Sequence, residues 1–306
     1  MKYKNKLINK AIKLYKYDEI IDFEKENQNF YDGYSFSFNN YKKNKYNFDN
    51  FWNVLKGSRT NYSHHLAAKN LLYQENPDCW KYFERTSLFW VKSNINDFLY
   101  NNLKSVLEYS IYVERSDFVE ILLEKFTSYF NNNGSDIEFK NQKIYPSTSL
   151  VFFLIEKWLG IDFFLDKNFN YDYGIYKQLI DNWNNISNLN SEYWDSLCEY
   201  HLTHMGLSSG DDYIEEEFLG VGLVPMEIIN IIKVREGLKL PIPSIAHELF
   251  QTPMSKFPVL PSGYDEELDV KYQLVKLTVE NKTKYSYSEV IERLQKIYGS
   301  NVKFFL

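Results

Sequence analysis

Residues 147–159 (STSLVFFLIEKWL) put apolar side chains around nearly the whole circumference of a helix. A helix of that kind belongs in the middle of a core, with other helices around it. Gly160 directly after it is a helix stop. The rest of the chain supplies the surrounding elements. Apolar residues Leu7, Ile8, Ala11, Ile12, Leu14 and Tyr15 make a helical stripe in 2–17, and Leu66, Leu71 and Leu72 anchor a helix over 62–74. Asn76-Pro77-Asp78 reads as a cap, a first-turn proline and an acid at the positive helix end. The helix it opens carries Trp80, Phe83, Leu88 and Trp90.

Further helices are expected at about 96–110 and 116–131, the latter ended by Asn131-Asn132-Asn133-Gly134. More follow near 172–186, 191–206, 226–236 (after Pro225, with Gly237 as its end), 243–250, 265–280 and 286–298. Pro253, Pro258 and Pro261 predict an extended connector. Two places depart from the helical period. Residues 32–48 alternate Tyr34, Phe36 and Phe38 with small polar residues, a short edge strand or an ordered loop, and the Asn and Lys content favours the loop. Residues 136–145 (DIEFKNQKIY) read as a small β-hairpin.

The predicted class is therefore all-α: antiparallel helix pairs in a large bundle-like array, with at most that hairpin as strand. No fixed repeat period emerges, which disfavours a regular solenoid. The hairpin region divides the chain into 1–131 and 147–306, as two helical regions or as one continuous domain. Its 306 residues can bury a substantial core.

Charge and cysteine content narrow the function classes. Residues 1–17 hold six lysines and no acid, so the remainder carries 29 basic against 41 acidic side chains. A body with a net charge of −12 repels nucleic acid and attracts a basic partner. The lysines at the start read as the solvated face of a helix. Cys79 and Cys198 lie far apart and form no disulfide framework, which points to a reducing compartment. The N-terminus lacks the apolar run of a secretory signal, and no window approaches a transmembrane helix. The expected setting is the cytoplasm, with no membrane and no nucleic acid among the partners.

The most enzyme-like feature is His201-x-x-His204, two histidines on one helix face that Asp211 or Glu215 could complete as a metal site. The spacing is not that of the HExxH zinc proteases, and structural histidines at a helix end are the simpler reading. His64-His65 points to different sides of a helix. Phosphate-binding glycine loops and the GxSxG nucleophile pattern are absent from the sequence, and Gly220-Val221-Gly222 reads as a turn before the Pro225 helix. No catalytic residue, metal or cofactor is expected.

Two acidic clusters stand out. Asp265, Glu266, Glu267 and Asp269 fit a helix N-terminus, where acids are mildly stabilising. The run Asp211, Asp212, Tyr213, Ile214, Glu215, Glu216, Glu217 packs five carboxylates into seven residues, with Tyr213 and Phe218 as aromatic anchors. That density exceeds what capping requires, and the EF-hand alternation needed for calcium is missing. Asp211, Asp212, Tyr213, Glu215, Glu216, Glu217 and Phe218 are the candidate partner-binding residues.

A segment of about 65 residues, Tyr193–Pro258, carries a family resemblance. Its parts are Tyr193-Trp194, Leu197, His201 and a Gly206–Asp212 loop, then Ile228–Ile232, Lys233-Val234-Arg235-Glu236-Gly237-Leu238-Lys239-Leu240-Pro241, and an exit from Pro253 to Pro258. Together these resemble the all-helical immunity protein 49 family of bacterial polymorphic toxin systems. The resemblance implies a cytoplasmic antidote that binds a cognate toxin's effector domain and blocks its active site or substrate path. A helical adaptor for another partner shares the same physical features, and a metal-dependent hydrolase using His201 and His204 is the third reading.

Overall fold

The computed structural model describes residues 3–17, 100–131, 145–162, 171–205, 222–255, 265–281 and 287–299. It also describes single positions at 32, 35, 36, 39, 40, 42, 43, 81, 84, 85 and 88. Nine α-helices and no strand occur among the described residues, so the all-α class holds. They are α1 (Lys6–Tyr17), α2 (Tyr100–Tyr112), α3 (Ser116–Asn131), α4 (Pro146–Leu159), α5 (Lys177–Asp181), α6 (Ser191–His204), α7 (Met226–Gly237), α8 (Val270–Asn281) and α9 (Tyr287–Tyr298). No described helix is long and apolar enough to cross a membrane.

The chain divides into two compact units. The first comprises Met1–Asp18, Leu71–Glu75 and Phe98–Phe257, so residues on both sides of 132–146 belong to it. Its centre is a trio of mutually packed helices, α2, α4 and α7. In α4 the ten residues Ser147–Glu156 are all buried, as the apolar circumference requires. Pro146 sits in the first turn, and Gly160 ends the helix at φ 66° with its N–H donated to the Glu156 carbonyl. In α7 the ten residues Met226–Arg235 are likewise buried, four of them polar or charged. α6 begins with the Asn190 side chain accepting from the Tyr193 N–H, 3.0 Å, and buries Tyr193, Trp194, Leu197, Cys198, His201 and Leu202 along one stripe.

α1 packs on α6 through its buried Ile8 and Ala11 while Lys4, Lys6 and Lys13 stay exposed. The residues just before α1 are held from outside: the Glu248 carboxylate accepts from the Lys4 and Asn5 N–H groups, 3.0 and 2.7 Å. These donors keep the Glu248 carboxyl below its ordinary pKa.

The second unit comprises Glu19–Asn70, Asn76–Asp97 and Pro258–Leu306. There α8 packs against α9 and buries Val270, Tyr272 and Leu274. A buried Arg85 grips buried Asp269 through Nε and Nη2, and Asp269 also caps α8 by accepting from the Tyr272 N–H, 3.2 Å. The Asp265 side chain caps Glu267, and Glu267 pairs with Lys276 at 2.9 Å. The cluster at 265–269 thus serves its own helix start.

Several expectations are corrected. Asp32, Ser35, Phe36, Asn39, Asn40 and Lys42 are helical, with Lys43 N–H donating to the Asn39 carbonyl, where a loop was expected. The period-two alternation misleads because Tyr34, Phe38 and Tyr41 also recur in the sequence at helical spacing, and Phe36, one of the alternating aromatics, is 63% exposed. The helix expected at 172–186 is broken into a 3-10 turn (Gly174–Tyr176), the short α5, and a second 3-10 turn (Ile186–Asn188). Gly174 at φ 42° and the Asn-rich run 182–188, whose amides bond to one another and to nearby carbonyls, interrupt it. The helix expected at 243–250 is only a 3-10 turn, Glu248–Gln251, after a stretch 241–246 without regular structure that carries Pro241 and Pro243. Within the proposed connector, Pro253–Ser255 forms a 3-10 turn. The helix at 62–74 and the hairpin arms at 136–144 lie outside the described residues.

Candidate functional site

α7 buries three charged side chains, Glu227, Lys233 and Arg235, more than any other described helix of the first unit. Glu227, Asn230 and Lys233 recur every three residues and lie along one side of the helix. Asn230 donates from Nδ2 to the Glu108 carbonyl of α2 at 2.9 Å. Lys233 donates from Nζ to the Tyr112 carbonyl at 2.7 Å and to Glu114 Oε1 at 2.9 Å. Tyr112 is the last residue of α2, where carbonyls lack helical partners and the dipole favours a cation. The two bonds step along both helices in the same direction and fix their register. Glu114, at φ 56°, closes α2 by donating to the Ile111 carbonyl while Arg115 donates to Ser110. That is a Schellman ending built on a non-glycine residue.

One turn before Asn230, Glu227 meets His201. His201 Nδ1 lies 3.0 Å from Glu227 Oε1, its Nε2 lies 2.8 Å from the Gly222 carbonyl, and both side chains are completely buried. Burial pulls the imidazole pKa down, but the charge and hydrogen bond of Glu227, with the Gly222 carbonyl, leave it raised. Beside it the Cys198 thiol is pushed well up by burial, with the charges of Glu227, Asp195 and Glu199 adding to the shift. A thiol so protonated is a poor nucleophile.

His201 and His204, the histidines of the enzyme-like reading, both contact groups of the protein itself, while Asp211 and Glu215 lie outside the described residues. Both nitrogens of His201 are already committed. His204 stacks on Tyr200, ring centroids 4.0 Å apart, with Nδ1 2.8 Å from the Tyr200 carbonyl. The pair therefore points at the protein's own groups, and no cluster of three metal-ligating side chains occurs among the described residues.

At the far end of α7 stands Arg235, fully buried, with no carboxylate against it among the described residues. Its Nε donates to the Pro241 carbonyl at 2.7 Å, its Nη1 donates to the Trp183 carbonyl, and the guanidinium lies 4.8 Å from the Trp183 ring centroid. Burial lowers its pKa. The backbone that Arg235 holds leaves the helix through a second Schellman ending: Leu240 N–H to the Arg235 carbonyl, 2.8 Å, and Lys239 N–H to Glu236, 2.9 Å. The left-handed residue is Lys239 at φ 57°, whereas Gly237 remains in the helix. The glycine in the sequence signature is thus not the cap.

What emerges is an edge, Glu236–Ser244, with Leu238 38% and Ile242 54% exposed and Pro241 and Pro243 stiffening it. It combines apolar exposure with a backbone held by the Arg235 side chain. The sequence offered a hint of it in Leu240-Pro241-Ile242-Pro243, but not of the arginine beneath. The acidic candidates Asp211, Asp212, Tyr213, Glu215, Glu216, Glu217 and Phe218 lie outside the described residues. Their flanks are described: Met205 on one side and Leu223 and Val224 on the other are buried. No family model, curated protein or solved structure matches the chain.

Proposed function

We propose that this chain is an immunity protein, which binds the effector domain of a cognate bacterial toxin in the cytoplasm and blocks its active site or substrate access. The observation that carries the reading is the Leu238–Ile242 edge. Apolar side chains offered to solvent on a backbone pinned by a buried arginine lose little freedom when a partner covers them, which favours tight association. The same residues lie within the segment that resembles the immunity protein 49 family. The His201, Cys198 and Arg235 side chains are spent on the fold, which suits a binder more than a catalyst.

The net charge of −12 outside residues 1–17 supplies long-range attraction to a basic cleft, the surface expected of a toxin whose substrate is polyanionic. In this reading the run from Asp211 to Phe218 contributes charge and aromatic contacts. Co-expression with the product of the adjacent upstream gene tests the function. Killing by that product, relieved by this chain with a co-purifying complex, is the expected result. A harmless neighbour, or killing that persists, overturns it.

A further inference from the structure

His201 and Glu227 join three pieces of the first unit through one exchangeable proton. The Gly222 carbonyl can only accept, so His201 Nε2 carries a hydrogen in the 2.8 Å bond to it. The other ring nitrogen faces Glu227 Oε1 at 3.0 Å, and that contact is a hydrogen bond only while a further proton lies between them. Remove it, and a nitrogen lone pair faces a carboxylate lone pair in a site with no exposed surface on either side chain. Glu227 Oε2 makes no hydrogen bond among the described residues, so His201 is the group that compensates this carboxyl.

The joint lies between the end of α6, the turn Gly222–Pro225 and the start of α7. Gly222 adopts φ 55°, and Leu223, Val224 and Pro225 are buried behind it. Among the described residues, charged and titratable groups reach the imidazole from α2, α6 and α7. Lys104 of α2 opposes its positive charge and itself lies 3.8 Å from Glu108; Glu227 of α7 favours that charge; Cys198 shares the helix.

We propose that the proton shared by His201 and Glu227 is a pH-operated latch that holds the Gly222–Pro225 turn and the first turn of α7 against α6. The latch is closed when the pair is protonated and opens at alkaline pH, when the carboxylate is left buried and uncompensated. The raised imidazole pKa moves the opening to a higher pH than an ordinary histidine would give. The direction follows from linkage: stabilisation by a group whose folded pKa is raised is complete below the unfolded value and disappears as pH passes the folded one.

Two measurements on the full-length protein test this. In wild type, ring-nitrogen NMR with histidine-selective labelling follows His201 from pH 5 to 10. Amide hydrogen exchange of Met226 and Ile229, whose N–H groups donate to the Val224 and Pro225 carbonyls at 2.8 and 2.9 Å, is followed over the same range, corrected for intrinsic base catalysis. The expected result is a loss of protection of at least about tenfold at those amides, with the midpoint of the His201 titration, while Val151–Ile155 of α4 change little. Glu227→Gln, which can donate an amide N–H to the neutral imidazole, should make the protection independent of pH. Protection that survives the His201 titration, a His201 ring that does not titrate in this range, or an unchanged pH dependence in Glu227→Gln overturns the latch. The wild-type comparison stands even where the variant folds poorly.

Discussion

Two residues near the end of α7 decide how the chain leaves the core. Lys239 holds a left-handed conformation that costs an L-residue roughly 1–2 kcal/mol, part of which a glycine would give back as unfolded-state entropy. Lys239→Gly should therefore stabilise the protein by about 0.5–1 kcal/mol in urea unfolding. A neutral or negative change would show that this ending carries no strain. Arg235 works through its shape: Nε and Nη1 reach two carbonyls, Pro241 and Trp183, that no single ammonium can serve together. Arg235→Lys keeps the charge and should still cost about 2–4 kcal/mol, because a buried cation and a carbonyl lose partners. A cost under about 1 kcal/mol would mean that the fork does not hold the exposed edge.

At the scale of an element, the ends of α4 separate two uses of glycine. Gly160 and Gly174 both have positive φ, 66° and 42°. A Cβ on Gly160 meets nothing within 4 Å, whereas on Gly174 it would lie 2.7 Å from Pro146 Cγ at the start of α4. Gly160→Ala should cost about 1 kcal/mol from backbone conformation alone. Gly174→Ala should cost at least about 2 kcal/mol, since the same strain is joined by a clash with the helix that the core is built on. Equal costs in chemical denaturation would contradict the close approach. α7 shows why helices are easier to read than their surroundings. Glu227, Asn230 and Lys233 at three-residue spacing look like a solvent-facing stripe, yet α2 and α6 cover that side and supply the partners. The buried Arg85–Asp269 pair of the second unit was hidden for the same reason, its partners being 184 residues apart.

For the whole molecule, opposed pKa shifts set the pH range of stability. The Arg115 hydrogen bond holds the Asp117 carboxyl below its ordinary 3.8, and the Lys4 and Asn5 N–H groups hold Glu248 below 4.5. Their contributions are complete above those values and are lost as pH falls. His201, raised above 6.5, contributes fully below that value and loses its contribution as pH rises through its folded pKa. Thermal unfolding should accordingly show highest stability between about pH 5 and 6.5, with a decline on the alkaline side that Glu227→Gln flattens. An optimum above pH 8 would contradict the sign of the His201 shift. Charge also acts at this scale: reversing Glu215, Glu216 and Glu217 together should slow association with the toxin domain and flatten its salt dependence without lowering stability. Unchanged affinity in the triple variant would remove that run from the interface while leaving the antidote reading intact.

Helical class, the spans of α3, α4, α6 and α7, the glycine stop at Gly160 and the central place of α4 were all legible in the sequence. Each depends on a period of 3.6 residues or on a cap within a turn of the helix it ends. The tertiary structure alone decided that α7 buries its charged residues, that Lys239 and not Gly237 turns the chain, and that both nitrogens of His201 are already occupied. Those outcomes depend on single hydrogen-bond partners: Tyr112 for Lys233, Trp183 for Arg235, Gly222 and Glu227 for His201. Local periodicity averages over a helix face and carries no information about which distant carbonyl or carboxylate will meet it.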